Sequence, residues 1–375
     1  MYPITRHLSE KIGPRPAGSP GEYEAARYLC GLFEKLGLKP RLQPFHFINW
    51  TPIGWPKLEI LSPERMEIPV APMAFTLPTP ASGVEGTVKK IGVTLMQFGN
   101  IKRQKYVLVD DSGEEVGYFL KGGNQAASTF PSGAPLIQMP GVIMGARDAD
   151  EKIERLLAEG KKIRARITSR CVQEMATSQN IVVPVGEGAP RMVICAHYDG
   201  VYGSPAAVDN ASGVEALLNI AEKLVKRTDL PPFLFVCFGC EELKFNGSTH
   251  FVKDLQEHDR LESIQYVVNL DMIGHGTDIT IGTGNGMEAF TNRLIEKYAG
   301  AFTSKLVPGD VKPTSDHWAF HESGIATVQL TGSPFSDYHQ DLDTTACMEE
   351  TIMRETETFA ADLIDLLFAD LGANG

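Results

Sequence analysis

Four short, solidly apolar runs limit what this chain can fold into. They are Met192–Ala196 in "RMVICAHYDG", Phe233–Phe238 in "PPFLFVCFGCEE", and the runs in "YVVNLDMIG" and "IATVQLTG". A strand with one wet face alternates polar and apolar residues. A run with no polar face suits a central strand covered by helices on both sides. Between the first two runs lies "DNASGVEALLNIAEKLVKR", where Val214, Leu217, Leu218, Ala221, Leu224 and Val225 keep helical spacing. Strand and helix therefore alternate, and the fold class is α/β, with a central, mostly parallel (mixed) sheet flanked by helices. Earlier, "SPGEYEAARYLCGLFEKLGL" reads as a helix that Ser19 and Pro20 can start and Gly37 can stop, with a strand after it in "PRLQPFHFI". A last helix covers "EETIMRETETFAADLIDLLFADL".

Residues from about 51 to 175 have a different texture. Pro, Gly and short β-like segments such as "GVEGTVKKIGV", "KYVLVDD" and "VGYFLKGG" dominate, with one short helix near the end. The predicted organisation is a discontinuous catalytic domain, 1–50 and 176–375, interrupted by a β-rich inserted domain, 51–175. The 375 residues are ample for this, and the formal net charge of -12 argues against nucleic acid or an anionic membrane as partner. No apolar run approaches the ~20 residues of a membrane span. The opening "MYPITRHLSEKIGPRPAGSPGE" lacks a basic stretch leading into an apolar one, so a cytoplasmic location is expected. In that setting the six cysteines are expected to be reduced. Cys237 and Cys240 form a C-x-x-C outside the usual redox context, so they read as a buried strand residue and a small residue beside a site.

Sheets of this class place their sites beyond the carboxyl ends of the strands. Three predicted strands deliver candidate ligands there. His197 and Asp199 come after Ala196, Glu241 and Glu242 after Phe238, and Asp271 after Leu270. Asp209 stands at the head of the next helix, and His339 lies in "SDYHQDLDTT". Each has a bland alternative. Asp209 suits a helix cap, His197 a satisfied strand-end histidine, Asp271 a turn, and the two glutamates a helix start. Together, on the strand ends of one sheet, imidazoles and carboxylates in this mixture suit zinc.

The motifs "AHYD", "DNASGVEALL", "CFGCEE", "NLDMIG", "SDHWAF" and "YHQDLDT" resemble those of the di-zinc (co-catalytic) aminopeptidases of the MH clan of metallopeptidases. That family includes secreted bacterial leucine aminopeptidases and the larger glutamate carboxypeptidases. The resemblance covers about the last half of the chain and the opening "IGPRPAGSPGEYEAARYL". The middle segment resembles a protease-associated insertion, chiefly through "FPSGAP" and "PGVIMGARDADEKIERLL".

The resemblance implies a zinc-exopeptidase-like fold holding two Zn2+ per chain. His197 and Asp271 would hold one ion, Glu242 and His339 the other, and Asp209 would bridge them. Asp199 would stand behind His197, accepting its free ring proton and fixing its tautomer. Glu241 would be the general base toward a water between the ions. Tyr338 either donates a hydrogen bond to the tetrahedral intermediate or is a packed aromatic; His317 has a structural role. The implied activity is that of a metallo-aminopeptidase acting on N-terminal residues of peptide substrates. The alternatives are a carboxypeptidase or amide deacylase on the same scaffold, a one-zinc glutaminyl cyclase, or a receptor-like binding domain without catalysis.

Overall fold

The computed structural model describes residues 2–96, 101–122 and 139–373. They form two compact units. One comprises Met1–Phe47, Ala176–Phe335 and Asp341–Gly375; the other comprises Ile48–Met175 and Ser336–Gln340.

The strands of the first unit's sheet are β1 (Arg41–Pro52), β2 (Cys171–Val185), β3 (Met192–His197), β4 (Phe233–Phe238), β5 (Tyr266–Leu270), β6 (Asp278–Gly284), β7 (Lys305–Asp310) and β8 (Ala326–Ser333). Their spatial order is β1-β2-β4-β3-β5-β8-β6-β7. The four neighbours β4, β3, β5 and β8 are mutually parallel, while β2 runs antiparallel to β4 and β6 antiparallel to β8, so the sheet is mixed around a parallel centre. The centre is where the solid apolar runs fall. Every residue of β3 and β4 is buried. Alternate residues serve opposite faces, as the pleat requires. Ile194, Ala196, Phe235 and Cys237 pack with helices α2 (Ser212–Leu224) and α5 (Glu350–Ala373). Val193, Cys195, Leu234, Val236 and Phe238 pack on the other face against Phe251, Val252 and Leu255 of α3 (Asn246–Glu257), with Phe320. Helix α1 (Pro20–Lys35) starts as its sequence predicts, with the Ser19 hydroxyl accepting from the Glu22 N–H. A further helix, α4, is Glu288–Tyr298.

Register decides where the site lies. His197 pairs with Phe238, and Cys195 pairs with Asn269. The three strands therefore end level, and the residues just beyond them emerge along one edge.

The second unit carries its own eight-stranded sheet, antiparallel except for the pairing of Glu115–Lys121 with Gly141–Met144. Leu58, Ile60, Tyr106, Leu108, Phe119 and Val142 fill its core together with Ala149, Ile153 and Leu156. This is the β-rich character that the texture of the segment predicts. The stretch "FPSGAP" lies outside the described residues. Among the described residues the six cysteines form no disulfide, and no helix is long and apolar enough to cross a membrane.

Candidate metal centre

The level ends of β3, β4 and β5 bring His197, Asp199, Glu241, Glu242 and Asp271 together, and the segment before α2 adds Asp209. All six are buried. Nε2 of His197 is the focus. It lies 3.2 Å from Asp209 Oδ1, 3.4 Å from Asp271 Oδ1 and 3.9 Å from Glu241 Oε2. Donors held at about 2.0–2.2 Å from a tetrahedral ion stand roughly 3.3–3.6 Å apart, so the first two separations suit shared ligation. One ligand-capable atom each of His197, Asp209 and Glu242 falls within a mutual 4.8 Å, and the same holds for His197, Glu241 and Asp271. Asp271 Oδ1 is buried and makes no hydrogen bond, which fits an atom reserved for a cation.

The electrostatics point the same way. Burial pushes the Glu241 carboxyl well up; His197 opposes that shift, and Glu242, Asp316 and Asp271 add to it. Burial alone would push His197 down, but Glu241, Asp199, Asp209 and Asp271 outweigh it and raise it well above the usual imidazole range. A group of carboxylates in so small a dry space repels itself unless protons or cations neutralise it. With this donor set, divalent cations fit.

Local structure explains how each side chain arrives. After Phe238 the chain turns through Gly239, where a Cβ would stand 2.7 Å from Glu22 Oε1 and 2.7 Å from the Gln179 carbonyl oxygen, so only glycine passes. Asp199 holds the two glutamates beyond that turn. Its Oδ1 accepts the Glu241 N–H at 3.0 Å, and its Oδ2 the Glu242 N–H at 3.3 Å. Its Oδ1 stands 3.6 Å from His197 Nδ1, so its closer partners are the two glutamate amides. Glu22 backs the same turn, accepting from Ser178 Oγ at 2.5 Å and from the Gly18 N–H at 2.7 Å, with a further bond from the Cys240 N–H. Burial pushes its carboxyl up to about 8, with Asp199 adding to the rise.

In "DNASG" the capping is done by Asn210. Its Oδ1 accepts the Gly213 N–H at 2.9 Å and the Met272 N–H at 3.0 Å, and its Nδ2 donates to the Leu270 carbonyl at 2.9 Å. Asn210 thus ties the head of α2 to the strand end that carries Asp271, and the Asp209 carboxylate is not needed as the cap. Asp209 has φ -109° and ψ 88°, outside helical geometry.

Tyr338 and His339 lie in Ser336–Gln340, which groups with the second compact unit. His339 is buried with φ 61°, and its ring stacks on that of Tyr338 with centroids 3.6 Å apart. His317 is buried and its Nε2 bonds the Lys312 carbonyl at 2.9 Å; burial lowers it to about 3. Sequence reasoning misses its neighbour Asp316, which is fully buried and whose carboxyl burial pushes up to about 7. It also misses Glu22, Asn210, Arg15 and Asp343. The last two carry a visible sign only in their setting, within "IGPRPAGS" and "YHQDLDT".

A family model described as peptidase family M28 matches residues 180–364. The chain belongs to peptidase family M28. Of its relatives, Aminopeptidase YwaD of Bacillus subtilis is 27% identical over 97% of this chain and 82% of that protein. An aminopeptidase of Pseudomonas aeruginosa is 25% identical over 84% of this chain and 66% of its own length. Among solved structures, a peptidase M28 precursor from Shewanella amazonensis superposes with a TM-score of 0.79 at 19% identity, covering 96% of this chain and 91% of that one. BSAP, a zinc aminopeptidase from Bacillus subtilis, gives 0.73 at 22% identity, covering 97% and 94%. These likenesses confirm the fold of this M28 peptidase.

Proposed function

We propose that this M28 peptidase is a two-zinc aminopeptidase that removes N-terminal residues from peptides. His197, Asp271 and Asp209 would hold one ion, and Asp209 and Glu242 would hold the other. His339 joins the second set on the strength of its motif. When bound, zinc polarises the scissile carbonyl and brings the pKa of water toward neutrality. Glu241 is the general base. It takes a proton from the water that attacks the carbonyl and returns it to the departing amine nitrogen. Its burial suits this, because desolvation makes a carboxylate a better proton acceptor. Asp199 fixes the peptide units of Glu241 and Glu242, so base and ligand keep a constant offset although they are adjacent in sequence. Tyr338 donates a hydrogen bond to the oxyanion of the tetrahedral intermediate.

The observation that carries this reading is the spacing of carboxylate oxygens about His197 Nε2. Two relatives named aminopeptidases and one solved zinc aminopeptidase support the substrate class and the metal. The test is hydrolysis of free against N-acetylated aminoacyl arylamides, with elemental analysis of the same preparation. Cleavage of free substrates only, with zinc bound, is expected. Preferential cleavage of N-blocked substrates would make the chain a deacylase or carboxypeptidase on this scaffold.

A further inference from the structure

We propose that Arg15 and Asp343 are positioning residues for Asp209, gripping the segment that carries it through groups of opposite charge. This rests on Asp209 being the carboxylate shared by two metal ions.

Arg15 is fully buried. Its Nη1 donates to the Pro205 carbonyl at 2.8 Å, its Nη2 to the Ala206 carbonyl at 2.7 Å, and its Nε to the Tyr198 carbonyl at 2.6 Å. Asp343 is also fully buried. Its Oδ1 accepts the Val208 N–H at 2.7 Å and its Oδ2 the Asp209 N–H at 3.1 Å, while its main-chain carbonyl accepts the Ala207 N–H at 3.3 Å. Five consecutive residues, 205 to 209, are therefore held in sequence. The Arg15 guanidinium takes the two carbonyl groups, the Asp343 side chain takes two of the amide groups, and the Asp343 main-chain carbonyl takes the third.

This segment needs such a grip. Ala206 has φ 53°, and Asp209 and Asn210 depart from helical geometry, so no regular ladder of hydrogen bonds fixes it. The choice of side chains is specific. Guanidinium presents donors in a planar fork that can serve three carbonyls at once, which an ammonium cannot copy. Burial lowers Arg15 to about 10, and Asp343, Asp199, Asp209 and Glu242 act against that fall, so it remains charged at neutral pH. Burying a cation and an anion to hold main-chain groups is a poor way to gain stability. It is a good way to hold a donor atom in place, and partners behind metal ligands of this kind are typically worth about 10–100-fold in metal affinity or activity.

The test uses Asp343→Asn, which keeps the shape but turns an NH2 toward one of the two amides, and Arg15→Lys, which keeps the charge but loses the fork. Both zinc dissociation constants are measured by chelator competition on the full chain, well below the unfolding temperature. Leu367→Ala in α5, a fully buried core residue, serves as a variant of lowered stability without site contacts. The expected result is weakening of both zinc sites by about 10–100-fold in each positioning variant, with both constants unmoved in Leu367→Ala. Zinc constants within twofold of wild type in Asp343→Asn and Arg15→Lys, at any loss of stability, overturn the proposal. Should Asp343→Asn fail to fold, Arg15→Lys carries the test alone. Asp209→Ala separates the two levels. If it keeps both ions, the shared-carboxylate reading fails and the proposal with it. If it loses both while the positioning variants lose neither, only the proposal fails.

Discussion

Asp199→Asn isolates the part of the centre that no metal ligand supplies. The carboxylate accepts the amides of Glu241 and Glu242, one on each oxygen, at 3.0 and 3.3 Å. Asparagine replaces one oxygen with an NH2, so one amide faces a donor instead of an acceptor. A buried N–H left without a partner costs about 1–3 kcal/mol. At roughly 1.4 kcal/mol per decade, that corresponds to about 5–150-fold, close to the 10–100-fold typical of groups behind metal ligands. The cost falls where the peptide moves, on the placement of Glu242, the proposed ligand, and Glu241, the proposed base. Zinc affinity and kcat are therefore expected to drop by about 10–100-fold, with KM changed by no more than about threefold. Chelator competition gives the first quantity, and steady-state kinetics at saturating zinc gives the others. A folded Asn variant that keeps both zinc constants and kcat within twofold of wild type would refute the view that Asp199 sets the two glutamates.

The adjacent glutamates should fail differently. Glu241→Gln is expected to keep both ions and lose about 10²–10⁴-fold in kcat, whereas Glu242→Gln should lose an ion and recover partly in excess zinc; elemental analysis of the two variants would expose a reversed assignment. Gly213→Ala inverts the usual helix rule. Alanine normally gains about 1 kcal/mol over glycine, but here a Cβ would stand 2.4 Å from Asn210 Oδ1 and 2.4 Å from the Leu270 carbonyl oxygen, so urea unfolding should show a loss of about 1–3 kcal/mol. Glu22→Gln gives a pH signature. The Glu22 carboxyl is raised to about 8 in the folded chain, so the fold binds its proton more tightly than the unfolded chain does. Wild-type stability should therefore fall, relative to the Gln variant, as pH rises from about 4.5 to about 8, by up to roughly 1.4 kcal/mol per unit. A gap between the two proteins that stays constant from pH 5 to pH 8.5 would contradict this.

The centre of the fold was legible because burial on both faces leaves an unambiguous mark. β3 and β4 are apolar throughout, and the residues after them are polar in a way that burial alone would forbid. Level strand ends result from the parallel register, which is how His197, the Glu241–Glu242 pair and Asp271 could be placed at one edge from sequence. The supporting groups leave no such mark. Arg15, Glu22 and Asp343 bind main-chain amides and carbonyls, and main chain has no letter in a sequence. Asn210 shows the same limit. Its neighbour Asp209 is the more familiar cap, yet Asn210 takes the Gly213 amide and joins it to the end of β5. The grouping of Ser336–Gln340 with the second unit is likewise a matter of tertiary contact, invisible in the motif that contains His339.

The central claim is that two zinc ions share Asp209, with Glu242 as ligand and Glu241 as base. Anomalous diffraction at the zinc edge from crystals of the zinc-loaded chain tests it directly. Two peaks are expected, one bonded to His197, Asp271 and Asp209, the other to Asp209 and Glu242, with no peak bonded to Glu241. A single peak, or a peak bonded to Glu241 with Glu242 turned away, would contradict the account.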